Sequence, residues 1–264
     1  MPSKRPVDES ERPLYERWRG VVLLIAMVMI IASTASGEDR GQEIGPTRRP
    51  VPLDLFKTWN FDKQPAAQPP TGFSPLTVGA GEAALWLVQS DPNAPSPPNI
   101  VRQSAPCPSD ECFQVLLVDE LVYEYPDVSV RLRLAESPAD ANGAAGIVVA
   151  ADDGKRFYAA TVDMAGQQIE LLRVENGVAT VVGRTPVKPK SIPWHVLRVR
   201  RNTIISKEFI EVVYDGVQVL SYESKSLQPG QIGVVTRGPA MVGFDNLNAA
   251  PLYSQRPLSP PAAY

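Results

Sequence analysis

Between residues 113 and 247 the chain is an almost continuous series of short apolar runs, and three of the joints between them are Asp152-Asp153-Gly154, Glu175-Asn176-Gly177 and Tyr214-Asp215-Gly216. Asn-Gly and Asp-Gly supply the positive φ angles of tight hairpin turns, so the runs on either side of each must lie antiparallel. The runs cover residues 113–118, 128–134, 145–150, 157–162, 169–174, 178–182, 196–200, 209–214, 217–222, 232–236 and 242–247. They are rich in Val, Ile, Leu and Tyr with local alternation, which is strand composition. Nowhere after the first forty residues does a 3.6-residue apolar period persist over ten residues with caps, which disfavours an α/β layout. The fold class that follows is all-β, a two-sheet antiparallel sandwich.

Upstream, residues 53–61, 85–89 and 99–103 read as edge strands separated by Pro-rich and Gly-rich stretches. Residues 91–98 carry proline at 92, 95, 97 and 98 and are a loop, because each ring removes a backbone donor and fixes φ.

The first 37 residues end a charged stretch at Arg17, Trp18 and Arg19, continue with the apolar run 21–32, and close on small residues. That run is short for a membrane span of about 20 apolar residues, and Ser33-Thr34-Ala35 or Ala35-Ser36-Gly37 offers a cleavage site. The first expectation is a cleaved signal peptide; the alternative is an anchor at residues 21–35 holding the domain outside the inner membrane. Residues 38–52 read as a linker, 53–250 as the β-sandwich domain, and 251–264 as a Pro-rich, loosely ordered tail. The two cysteines, Cys107 and Cys112, lie close enough to close a small disulfide loop in an oxidising compartment. With His195 the sole histidine, they cannot complete an ordinary four-ligand zinc site. The formal charge is −3, and −4 without residues 1–37, so no basic stripe exists for neutralising phosphates and nucleic acid is excluded as a partner.

The order of Leu85-Trp86-Leu87-Val88-Gln89, Asp91 to Ser96, Trp194-His195-Val196-Leu197-Arg198-Val199, Val213-Tyr214-Asp215-Gly216, Gly230 to Val234 and Phe244-Asp245-Asn246-Leu247 resembles the concanavalin A-like and laminin G-like jelly rolls. Within that group it is similar to bacterial exported domains of the family 16 glycosidase-like and 3-keto-disaccharide hydrolase-like kinds. The resemblance spans most of residues 85–248. It implies a two-sheet jelly roll with one concave face, which holds a glycan in sugar-binding relatives. Where such relatives carry an Arg and an Asn on that face, this chain has Thr161 and Asp163. The resemblance also implies a structural calcium at Asp245, where relatives keep an acid.

The catalytic signature Glu-x-Asp-x-x-Glu, or its form one residue shorter, is missing. In the nearest approach, Glu120-Leu-Val-Tyr-Glu124, the two carboxylates stand roughly 13 Å apart on a regular strand, against the ~5–5.5 Å of a retaining pair. Solvated acids beside a turn explain them better. His195 has no nucleophile elbow to serve, and at the start of a strand after Trp194 it reads as a structural ring. Gly79-Ala-Gly81-Glu-Ala-Ala84 mimics a dinucleotide fingerprint but leads into a strand and a proline loop instead of opening a helix. Trp59, Trp86 and Trp194 are flat enough to stack on sugars, although indoles more often fill cores.

Alternation along 196–200 sets Arg198 and Arg200 opposite the inward Leu197 and Val199. Arg237 ends a neighbouring strand whose inward residues are Ile232 and Val234. The ligand-binding candidates are therefore Tyr158, Asp163, Arg198, Arg200 and Arg237, taken as sharing one sheet face, and Trp194 as a stacking platform. The first reading is an exported, non-catalytic binding module for a carbohydrate, periplasmic or extracellular, with no cofactor beyond the calcium. A 3-keto-disaccharide hydrolase-like enzyme and a structural or protein-interaction sandwich are the alternatives.

Overall fold

The computed structural model describes residues 53–105, 107–134, 142–152, 154–165, 167–188, 190–225 and 227–252. The expected export segment, the linker and the tail beyond 252 lie outside the described residues. A 3₁₀ turn, Leu53–Leu55, precedes fifteen strands among the described residues: β1 (Lys57–Trp59), β2 (Phe73–Val78), β3 (Trp86–Ser90), β4 (Asn99–Gln103), β5 (Phe113–Val118), β6 (Pro126–Arg133), β7 (Ala144–Asp152), β8 (Arg156–Asp163), β9 (Gln168–Glu175), β10 (Val178–Pro186), β11 (Trp194–Ile204), β12 (Lys207–Tyr214), β13 (Val217–Ser224), β14 (Gln231–Arg237) and β15 (Gly243–Pro251).

They form two antiparallel sheets, one ordered β13-β12-β11-β6-β15-β4-β3 with β1 also on β15, the other β10-β9-β8-β7-β14-β5-β2. The described residues form an all-β jelly-roll sandwich. Two of the three expected hairpin turns behave as their sequences require: Asn176 and Gly177 sit at φ 51° and 83°, and Asp215 and Gly216 at 48° and 86°.

Strand alternation divides the side chains. Leu197, Val199, Ile210 and Val212 of one sheet meet Ile147, Val162, Ile169, Leu171 and Ile232 of the other in a core of fully buried residues. Truncating Leu197 to Ala there costs about 2–5 kcal/mol, from lost transfer energy and the cavity left behind. The opposite face of the seven-stranded sheet is also apolar, with Phe113, Val115, Val148, Phe157, Leu172, Val174 and Val235 forming a second buried cluster. This sheet curls. Val78, on its last strand, stands 3.9 Å from where a Cβ on Gly177 would lie, yet Gly177 belongs to the β9–β10 turn at the other end. The face carrying the second cluster is therefore concave, and its two ends approach each other over it.

The segment 53–61 is not one strand: its first residues make the 3₁₀ turn and only β1 pairs, with Lys57 opposite Ala249. Strand β2 was not expected from sequence, because Pro75 lies in its middle. Proline is tolerated there since β2 is the last strand of its sheet and its outer side needs no donor. Cys107 and Cys112 are joined in a disulfide.

Candidate functional site

The concave face is apolar along its middle and polar at one end. The pairing of Arg184 with Glu170, and of Glu170 with Thr161, sets these three side by side on β10, β9 and β8. One row further on, Asp163 lies opposite Ala144, which lies opposite Arg237, which lies opposite Phe113. The two rows enclose a solvent-open pocket of about 300 Å³, completed by Gln168 and by Asp110 of the disulfide loop. That size is at the lower end of the ~300–1,000 Å³ usual for small-molecule sites.

Glu170 organises the pocket. Its side chain is only 11% exposed, and its Oε1 and Oε2 accept from Arg184 Nη2 at 2.6 Å and Arg237 Nη1 at 2.9 Å. Gln168 Nε2 adds a third donor at 3.1 Å. Charge-assisted bonds of this kind are short and directional, so both guanidiniums are held in place. Arg237 is fixed from two more sides, its Nε donating to the Asp110 carbonyl at 2.6 Å and its guanidinium standing 5.9 Å from the Phe113 ring centroid. Asp163 receives the Gln167 amide on Oδ1 at 2.8 Å, and its Oδ2 has no partner among the described residues. Thr161 is 1% exposed, and its Oγ1 likewise lacks a partner among the described residues. A buried hydroxyl left unpaired costs on the order of 1–3 kcal/mol and calls for an explanation. Here it borders a pocket that already presents fixed donors and acceptors.

The structure brings together two of the six sequence candidates, Asp163 and Arg237, and separates the other four. Tyr158 is five residues from Asp163, an odd spacing that puts it on the opposite face. It lies between the sheets, its hydroxyl 3.0 Å from Ser224 Oγ. Arg198 and Arg200 belong to β11 of the other sheet, so the expected common face with Arg237 does not exist. Arg198 bonds Asp127 through both Nε and Nη2, and Arg200 pairs with Glu211 at 3.0 Å. Trp194 is 7% exposed and clustered with Ala94 and Ile100; its indole N–H donates to the Asn93 carbonyl at 3.2 Å, which anchors the proline loop.

Asp245 receives the Ser96 amide on Oδ2 at 2.7 Å and the Asn246 amide on Oδ1 at 2.6 Å, so both oxygens serve loop backbone. Burial nevertheless pushes its carboxyl up to about 6. Among the described residues no group of three acidic, His or Cys side chains is placed to hold a metal, and the calcium expectation finds no assembled ligand set. His195 is buried, stacked on Tyr214 and 2.7 Å from Asp215 Oδ2, where it braces the β12–β13 turn. Glu120 and Glu124 are exposed, as solvated acids should be. A larger hollow of about 480 Å³ lies by Arg102, Arg133, Met164 and Met241, but Arg133 is already committed to Asp91 at 3.0 Å and to the Trp194 ring.

No protein-family model matches the chain, and no curated protein matches it in sequence. Solved structures do. The carbohydrate binding module CBM66 from Bacillus subtilis is 16% identical, with 68% of this chain and 95% of that one covered at a TM-score of 0.51. A legume lectin-like domain from Entamoeba histolytica is 11% identical over 69% and 91% at 0.45, and an endo-1,3-beta-glucanase from Streptomyces sioyaensis is 10% identical over 77% and 99% at 0.44. At such identities the likeness to the first is a likeness of fold, and it is to a jelly-roll sandwich.

Proposed function

We propose that this chain is a non-catalytic carbohydrate-binding module that takes one sugar unit in the polar end of its concave face. The observation that carries the reading is Glu170 locking Arg184 and Arg237 beside the open oxygen of Asp163 and the unpaired hydroxyl of Thr161. Sugar hydroxyls both donate and accept, and a rigid set of guanidiniums, a carboxylate and a hydroxyl satisfies them without paying for reorganisation on binding. The first fold relative is itself a carbohydrate binding module, which favours a sugar but assigns no residue. Glu170 is engaged by two arginines and a glutamine, which leaves it poorly suited to proton transfer and supports the non-catalytic reading. Export, to the periplasm or beyond or held at the inner membrane by residues 21–35, is part of the proposal. It is supported by the apolar run at 21–32 and by a disulfide that an oxidising compartment would preserve.

The test is calorimetric titration with D-glucose, D-galactose, D-mannose, D-fructose, N-acetyl-D-glucosamine and D-glucuronate, on the wild type and on Arg184→Ala. At least one sugar should bind the wild type and bind the variant at least tenfold more weakly. Binding that is indifferent to Arg184 would move the site elsewhere, and no binding of any of the six would refute the reading.

A further inference from the structure

We infer that the Cys107–Cys112 disulfide is a working part of the pocket: it fixes the backbone carbonyl that aims Arg237, so that binding there depends on the redox state of the pair. The inference rests on the carbohydrate-binding reading of the pocket.

Arg237 is held from three directions, by the Glu170 carboxylate, the Phe113 ring and the Asp110 carbonyl. Glu170 and Phe113 belong to strands packed into the sheet. Asp110 does not. It lies inside the six-residue loop closed by the disulfide, whose Pro108, Ser109, Asp110 and Glu111 are all exposed. The loop has no apolar anchor apart from the two cysteines, which are 2% and 0% exposed. Among the described residues its other ties are the Cys107 amide to the Gly238 carbonyl at 3.2 Å, the Gly238 amide to the Cys112 carbonyl at 3.1 Å, and an internal bond from the Cys112 amide to the Ser109 carbonyl at 3.1 Å. Each such bond is of modest net strength.

Three neighbouring glycines let the loop and its bonded sulfur pack closely against them. A Cβ on Gly81 would stand 2.5 Å from Cys112 Sγ, and one on Gly79 would stand 2.3 Å from the Glu111 carbonyl oxygen. At Gly238, with φ +64°, a Cβ would meet Asp110 Oδ1 at 2.6 Å. The loop thus seats directly on the residue following Arg237, and the disulfide is what keeps it seated.

Reduction by a dithiol breaks the one S–S bond; the dithiol passes two electrons and two protons to the cysteine sulfurs and itself becomes a disulfide. Two thiols in place of the bond leave the loop on its few hydrogen bonds, and the Asp110 carbonyl no longer pins Arg237 Nε. The pocket is then competent after oxidation and slack before it, so a chain bound for an oxidising compartment acquires sugar affinity on arrival.

The experiment uses the full chain, oxidised and after complete reduction with dithiothreitol, with thiols counted by alkylation and mass spectrometry. Two readouts are taken: titration with the six monosaccharides named above, and the exchange protection of the Arg237 Nε–H in ¹⁵N spectra, assigned with Arg237→Lys. Reduction should weaken binding at least tenfold, deprotect the Nε–H and leave cooperative unfolding in place; reoxidation should restore both, and Cys107→Ser with Cys112→Ser should copy the reduced state. If the oxidised chain binds none of the six sugars, the carbohydrate reading falls and the Nε–H signal alone decides the redox dependence. Unchanged protection after full reduction would overturn the inference, as would unchanged binding. Loss of the whole fold in both the reduced and the doubly substituted chain would make the bond a structural staple and overturn it equally.

Discussion

Replacing Glu170 by Ala tests the centre of the candidate site, and its cost follows from the contacts it removes. A buried ion pair broken on one side typically costs about 3–5 kcal/mol, an exposed one about 0–1. Glu170 lies between these cases. Its own side chain is 11% exposed, but Arg184 is 56% exposed and can turn to water, while Arg237 is 24% exposed and keeps the Asp110 carbonyl and the Phe113 ring. The Arg184 half therefore contributes little and the Arg237 half most, which places the expected loss at about 2 kcal/mol. Glu170→Gln keeps the volume and one acceptor, so about half of that is expected. Urea unfolding followed by tryptophan fluorescence measures both, and the slope against denaturant should not change because the inter-sheet core is untouched. Sugar binding should fall at least tenfold in either variant, since the guanidiniums lose their shared anchor. If Glu170→Ala is as stable as the wild type within about 0.5 kcal/mol and binds sugar equally well, Glu170 does not organise the pocket and the inference from its geometry is wrong.

Two further outcomes concern the scaffold. The β11–β12 turn holds Ile205 at φ 47° and Ser206 at φ 62°, with Ile205 92% exposed, so a β-branched residue occupies the left-handed region with no packing in return. Ile205→Asn combined with Ser206→Gly should stabilise the domain by about 1 kcal/mol and raise its melting temperature; a variant that melts at or below the wild type would mean the turn is not of this type. At Asp245 the carboxyl is raised from 3.8 to about 6 chiefly by burial, which outweighs the amides of Ser96 and Asn246. The protonated form is thus the better bound in the folded state, and its stabilisation is fully present below about pH 4 and lost as pH rises through 6. The stability of wild type relative to Asp245→Asn should fall by on the order of 2 kcal/mol between pH 4 and 8, and a difference that stays flat across that window contradicts the assignment.

The strands that the sequence makes legible are those with dense branched residues and Gly-containing turns. The hairpins β7–β8, β9–β10 and β12–β13 follow from three such turns, because a tight turn sets the direction of the strands it joins. The β11–β12 turn falls in the gap between the runs 196–200 and 209–214, where Ile205-Ser206 carries no turn chemistry to place it. Strand β2 escapes for the opposite reason. Its Pro75 argues against a central strand, and nothing local says that the strand will stand at an edge.

The candidate site was half legible, and register explains which half. Asp163 and Arg237 are visible as polar residues closing apolar strands. Glu170 carries a signal too, as a lone acid inside Ile169-Glu-Leu-Leu-Arg-Val174, a segment whose neighbours are fully buried; such an acid must be paired. Finding its partner is harder. The Asn176-Gly177 turn pairs Glu175 with Val178, and counting back along a regular hairpin sets Glu170 opposite Gly183. A bulge between Val181 and Gly183 shifts the ladder by one residue and brings Arg184 opposite instead. Without that extra residue, Arg184 would point to the other face and Glu170 would face a glycine. Arg237 is reached only through strands distant in sequence, whose order no turn encodes. The pocket is therefore a product of one local irregularity and one long-range pairing, and both are properties of the folded sheet that a single chain's pattern does not carry.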